Sequence, residues 1–378
     1  MAAGYPVKAD YANGDVLTAT NLNDLAGTVN LAVNATPTTA TQMAGKNAII
    51  NGDFSINQRN FTSVTATSTY TFDRWLTRTG GDGTGTFTPQ TFTLGAAPVA
   101  GYESANYLRV VTAGSTNAAT LMAVRQYIES ARTYANQTVT LSFYAKAASG
   151  TPKVFPSLVQ SFGTGGSPST SVETLASSAI TLSTSWARYT TTITLPSISG
   201  KTLGTANNDF LMVNLVLSAG TDFASYNSAI GIQNNTFEFW GFQLESGADA
   251  TPFQTATGTK QGELAACQRY YYRATVTATG QHFGNGNVQD ATTAIFLSNF
   301  PTIMRTAPTA LEQSGTATDY SVRVGATNTN CSAVPAFVNA TPQLGIFSFA
   351  VASGLVAGNG AFARPNATSA YVGWSAEL

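Results

Sequence analysis

The chain has 378 residues, enough for two or three modules with a core each. Only 10% are charged, and 18 basic against 19 acidic side chains leave a net charge of −1. No basic cluster is present to neutralise phosphates or face an anionic membrane, so nucleic-acid binding and membrane association are set aside. Surface polarity comes instead from Ser, Thr, Asn and Gln, as in TATSTYT and GATNTNCS.

The opening stretch MAAGYPVKADYANGD lacks the apolar centre of a secretory signal, and no run reaches transmembrane length. Folding in a cytoplasm is the expectation, with Cys267 and Cys331 as reduced core thiols. In LTATNLNDLAGTVNLAV, residues 17–33, Leu22, Leu25, Val29 and Val33 fall near helical spacing and Thr20 is placed to cap. The apolar stripe is narrow and Gly27 weakens it, so this short helix calls for copies of itself or a partner.

From about residue 50 strands dominate. TVTLSFYAKA alternates Val139, Leu141, Phe143 and Ala145 with Thr138, Thr140, Ser142, Tyr144 and Lys146, the period of a half-buried strand. WARYTTTITL sets Tyr189, Thr191, Ile193 and Leu195 against Arg188, Thr190, Thr192 and Thr194. FLMVNLVLS and FEFWGFQLE are apolar on both faces, as expected of central strands or strands covered twice. GGDGTG, FGTGGSPS and SISGKTLGTANND read as turns between them. KQGELAACQR is helix-compatible and runs into CQRYYYR, after which TTAIFLSNF, DYSVRVGA, LGIFSFAVASG and SAYVGWSAEL form another β region. With no fixed-period repeat, a stacked-rung β-helix is not indicated. The fold class is mostly β: an antiparallel sandwich or jelly roll, a short helical connector and a C-terminal β region.

Catalytic chemistry is sparse. The single histidine, His282, and two distant cysteines match no common zinc spacing, and no G-x-S-x-G elbow presents a serine. The glycine runs lack the lysine of a phosphate loop. Asp73, Glu238, Glu245 and Asp249 could supply a carboxylate pair for glycoside hydrolysis, but salt bridges account for them more simply. A non-enzymatic protein without cofactor or metal is expected.

NAIINGDFSINQRN (47–60) with YTFDRW (70–75), then FEFWGFQLESGADATPFQ (237–254), ELAACQRYYYR (263–273), MRTAPT (304–309) and AYVGWSAEL resemble, in order, segments of bacteriophage tail fibres. These carry a jelly-roll module related to carbohydrate-binding modules. GDVLTATNLNDL (14–25) resembles the virion-attachment segment that begins many of them. The resemblance implies a homotrimer in the virion tail. Residues 1–46 would bind other tail proteins through Leu22, Leu25 and Val29, and 47–257 would be the jelly roll. Residues 258–276 would be the connector, and 277–378 the host-facing C-terminal β domain for trimerisation and receptor binding. A host surface glycan is the implied partner. A head-fibre or tail-adaptor component without receptor role, and a polysaccharide depolymerase, are the alternatives.

A glycan site needs an exposed ring for C–H stacking beside amide or charged partners. Trp75 and Trp240 are read as core. Trp186, which opens a strand after a polar turn, reads equally as edge core or ligand ring. Tyr144, on a polar alternation face, and Tyr371 and Trp374, near the end, complete the glycan candidates. In CQRYYYR no single face of an extended strand carries all three rings. Arg269, Tyr270, Tyr271, Tyr272 and Arg273 are therefore expected at an inter-module and inter-chain seam, the joint that the resemblance implies.

Overall fold

The computed structural model describes residues 45–227 and 230–378. The segment bearing Leu22, Leu25 and Val29, with its expected helix and virion contact, lies outside them. Strands are numbered in chain order. The first half is a sandwich of two antiparallel sheets. One is ordered β2 (Thr84–Thr91), β3 (Asn106–Ala113), β11 (Asn235–Ser246), β5 (Thr138–Ala147), β9 (Ala187–Thr194). The other is ordered β1 (Trp75–Arg78), β4 (Leu121–Glu129), β10 (Phe210–Ala219), β6 (Lys153–Ser161), β7 (Val172–Leu175), with β8 (Ile180–Thr181) also on β6. The main strands alternate between sheets along the chain, β3, β5, β9 and β11 in one and β4, β6 and β10 in the other, which is a jelly-roll-like arrangement.

The alternation read from TVTLSFYAKA is what fills the core. Val139, Leu141, Phe143 and Ala145 are fully buried between the sheets with Leu108, Val110, Leu211, Val213 and Leu215. Strand β11 is apolar on both faces for two reasons. A bulge between Trp240 and Gln243 shifts the register against β5, so Phe237 and Phe239 before it and Phe242 and Leu244 after it all point inward. Gly241 permits the shift: its φ is +66°, and an added Cβ would lie 3.0 Å from the Tyr144 ring. Trp240, on the outer face, is itself covered by the rings of Tyr102, Tyr144 and Phe253.

Helix α1 (Lys260–Gln268) follows, capped by the Thr259 hydroxyl, which accepts from Gly262 N. The second half pairs a three-stranded sheet, β12 (Tyr271–Thr275), β21 (Tyr371–Ser375), β15 (Glu312–Gln313), with a seven-stranded one. The latter is ordered β17 (Thr327–Asn330), β16 (Tyr320–Val324), β20 (Gly360–Pro365), β13 (Gly284–Val288), β14 (Thr293–Asn299), β19 (Leu344–Ala350), β18 (Ala336–Ala340). Its core gathers Phe296, Tyr320, Phe347, Phe349 and Trp374. The described helices include none long and apolar enough to cross a membrane. Cys267 and Cys331 are buried and unpaired.

Four of the stretches that carry the tail-fibre resemblance, 47–60, 70–75, 237–254 and 263–273, meet in space through buried polar side chains. Asn47 donates to the carbonyls of Phe242 and Gln254 and accepts from Ile49 and Leu244. Asn51 donates to the carbonyls of Ile56 and Asp73, its backbone N–H donates to Glu263, and its carbonyl accepts from the Trp75 indole. Asp73, fully buried, accepts from Gln58, which also donates to the Tyr271 carbonyl. Such groups must be satisfied once buried, so they hold the opening motif, β11, α1 and the tyrosine run in one arrangement.

Candidate binding face

The register of the five-stranded sheet builds its outer face row by row. One row runs Thr88, Arg109, Glu238, Lys146 across β2, β3, β11 and β5. Because Ala145 pairs with Ala187, Trp186 falls beside Lys146 at the end of that row. On the next row lie Trp240, Tyr144 and Arg188, with Tyr107 two residues before Arg109 on the same side of β3.

Charge and rings are interleaved here. The Glu238 carboxylate, 5% exposed, accepts from Arg109 Nε at 2.8 Å and sits 2.9 Å from Lys146 Nζ. Arg109 also donates to the Tyr107 hydroxyl at 3.4 Å. Burial alone would lower the Arg109 pKa, but the hydrogen bond and charge of Glu238 outweigh it and the pKa is raised. The half-buried Trp186 ring packs against Phe92 at 5.6 Å and edge-on against Tyr107 at 5.5 Å, and Lys146 Nζ sits 5.4 Å from its centre. Arg188 donates to Ser142 Oγ at 2.9 Å and to the Thr251 carbonyl, with its guanidinium 5.9 Å from the Tyr144 ring. Beyond the bulge, Glu245 takes Lys46 at 3.2 Å and hydrogen bonds from Gln243 and Thr251, which hold its carboxyl below the usual range although burial acts against them. One side of the face is closed where Tyr102, bonded to Asp53, and Phe253 cover Trp240. Burial first, then the Asp53 charge, raises the Tyr102 pKa.

The face can therefore offer an apolar ring, Trp186, framed by fixed cationic donors and one buried carboxylate. Trp186 and Tyr144 from the sequence reading lie on it together. Phe92, Tyr107, Arg109 and Lys146 join them and were not singled out as ligand groups. The alternation Tyr107, Arg109, Val111 in NYLRVVTA could have flagged two of them, whereas Phe92 sits outside any strand and gave no periodic signal.

The other two glycan candidates are elsewhere. Trp374 is a correction: its ring is 0% exposed, stacked on Tyr272 at 6.0 Å and packed against Phe300 and Phe347, and so is closed to any glycan. Gly345 makes room for it, since a Cβ there would come within 2.3 Å of the indole nitrogen. Tyr371 lies under the Arg273 guanidinium, 3.4 Å from its ring centre. Arg273 borders a polar cleft of about 560 Å³ lined by Asn57, Gln58, Asn60, Thr275 and Ser369.

The tyrosine run joins the two halves of one chain. Arg269 binds Glu129 through Nη2 at 2.9 and 3.0 Å. Tyr270 lies under Arg74 at 3.4 Å and Tyr271 under Arg59 at 3.6 Å, while Tyr272 enters the C-terminal core. Tyr270 and Tyr271 are 3% and 1% exposed within a single chain, so these rings need no second copy to cover them. The inter-chain part of the seam expectation is not carried by them. Burial is the main cause of the raised pKa of all three tyrosines.

Among the described residues, no group of three or more His, Cys, Asp or Glu is placed to hold a metal ion. No protein family and no curated protein matches the sequence. Among solved structures the chain is similar to a Stig cyclase from Fischerella sp. TAU, at 12% identity, 55% of this chain, 100% of that one and a TM-score of 0.33. It is similar to the CBM22-1 xylan-binding domain of Xyn10C from Paenibacillus barcinonensis, at 15% identity, 55% and 98% coverage and a TM-score of 0.30. A third is the enzymatically active domain of tailspike protein 4 of bacteriophage CBA120, at 11% identity and a TM-score of 0.31, matched over 53% of this chain and 21% of that one. These are partial likenesses at low identity and assign no function to this chain.

Proposed function

We propose that the chain is a non-enzymatic tail-fibre protein that attaches a virion to a cell-surface glycan, with the outer face of the five-stranded sheet as the saccharide surface. The observation that carries the saccharide part is the row Arg109, Glu238, Lys146, Trp186: a partly exposed indole beside fixed polar groups, the combination that sugar C–H faces and hydroxyls need. Of the four carboxylates that a hydrolase could use, Glu238 is engaged by two cations, Glu245 by Lys46 and Thr251, and Asp73 by Gln58, leaving the exposed Asp249 without an available second carboxylate, which favours binding over hydrolysis. The virion role rests on the ordered motifs, with residues 1–46 toward the particle and the jelly roll and C-terminal β domain outward.

A homotrimer is part of the proposal. Its support is the row Phe362, Asn285, Leu297, Ile346 across the outer face of the seven-stranded sheet, where Phe362 and Leu297 remain 46% and 44% exposed. The test is electrophoresis of the purified protein through gels containing host surface polysaccharide. Retardation of the wild-type chain, and none for Trp186→Ala, is expected. Equal mobility of the two sinks the assigned face, and a monomeric mass in solution sinks the fibre assembly while leaving the face standing.

A further inference from the structure

The charge on the proposed face is lopsided in a chain that is almost neutral overall. Across its two central rows the cations are Arg109, Lys146 and Arg188, and the acid is Glu238. Glu238 is nearly buried and already shared by two of the cations, whose side chains keep 35% and 31% exposure. Among the described residues no carboxylate lies within ion-pair distance of Arg188. A further acid on this face, Glu245, is answered by Lys46. One net positive charge therefore stands on the row that ends at Trp186, and Arg188 adds a second one row on.

The donors are also unevenly used. Glu238 occupies Nε and Nη2 of Arg109, leaving Nη1 without a partner among the described residues, and it faces Lys146 as an ion pair without a hydrogen bond, leaving the ammonium N–H groups to a ligand. A neutral sugar could accept from these donors but would leave the excess charge unanswered. A ligand carboxylate on the solvent side of the row, bridging Arg109 and Lys146 above the nearly buried Glu238, would answer that charge.

From this, resting on the saccharide reading above, we infer that the face takes an acidic saccharide, one sugar ring stacking on Trp186 and the neighbouring residue presenting a carboxylate to Arg109 and Lys146. Because the cations are a third exposed, each is worth at most about 1 kcal/mol, or about fivefold in affinity, and salt reduces it.

The experiment titrates the full chain with oligosaccharides containing galacturonate, glucuronate, mannuronate or sialate, each paired with its carboxyl-reduced counterpart. At low salt at least one acid form is expected to bind about tenfold more tightly than its reduced form, the gap closing as salt is raised. Lys146→Gln is expected to shrink that gap severalfold, and Arg188→Gln to do so independently, with circular dichroism confirming the fold. Trp186→Ala should weaken acid and reduced forms alike. Equal binding of acid and reduced forms, still dependent on Trp186, overturns the acidic preference and keeps the saccharide face. Binding of no saccharide by the folded chain overturns both.

Discussion

Replacing Glu377 by alanine is expected to cost about 3–5 kcal/mol of folding stability, the range for removing one partner of a buried ion pair. The Glu377 side chain is 5% exposed and pairs with that of Arg74, 1% exposed, and with Arg59 at 3.5 Å. Arg74 lies over the Tyr270 ring, 3.4 Å from its centre, and donates to the Tyr127 carbonyl, so its buried guanidinium has nowhere to turn toward water. Burial pushes its pKa down, the sign of a charge that needs its counter-ion. Urea unfolding followed by far-ultraviolet circular dichroism measures the loss. A change under about 1 kcal/mol would show that Arg74 reaches solvent or another partner.

Tyr271→Ala is expected to cost about 3–5 kcal/mol as well, as for other large aromatics removed from a core. Its ring is 1% exposed beneath Arg59, its hydroxyl donates to Glu312 at 2.7 Å, and its backbone pairs with Ser375. The loss falls on the joint between the sandwich and the C-terminal sheets of the same chain, so both halves should unfold at lower urea. Tyr271→Phe keeps the ring and should cost only about 0.5–1.5 kcal/mol, the worth of one hydrogen bond. A variant Tyr271→Ala of wild-type stability but lower oligomeric mass would return the ring to an inter-chain role.

Local patterns were legible where one strand decides the outcome. Alternation in TVTLSFYAKA placed Phe143 inside and Tyr144 and Lys146 outside, and WARYTTTITL placed Ile193 and Leu195 inside. The two-sided apolarity of FEFWGFQLE pointed to a strand covered twice. Its cause, a glycine bulge that reverses the inward face at mid-strand, leaves no periodic trace. The binding row itself was hidden, because Arg109, Glu238, Lys146 and Trp186 lie on different strands and only register aligns them. Trp374 misled for the complementary reason: its position late in the chain suggested exposure, while the space that buries it comes from Gly345 on another strand. The stretches 47–60, 70–75, 237–254 and 263–273, in turn, proved rich in buried polar side chains that fasten distant segments, so their residues serve the fold before any ligand.

Stacking of a saccharide on Trp186 is read out by the four indole N–H signals of the nitrogen-15-labelled chain. Trp75, Trp240 and Trp374 are 0% exposed and Trp186 is half-buried, so each serves as an internal control for the other kind. Titration with a binding oligosaccharide is predicted to move the Trp186 signal while the other three stay in place. A saccharide that binds and leaves Trp186 unmoved, shifting instead residues of the cleft beside Arg273, would contradict it.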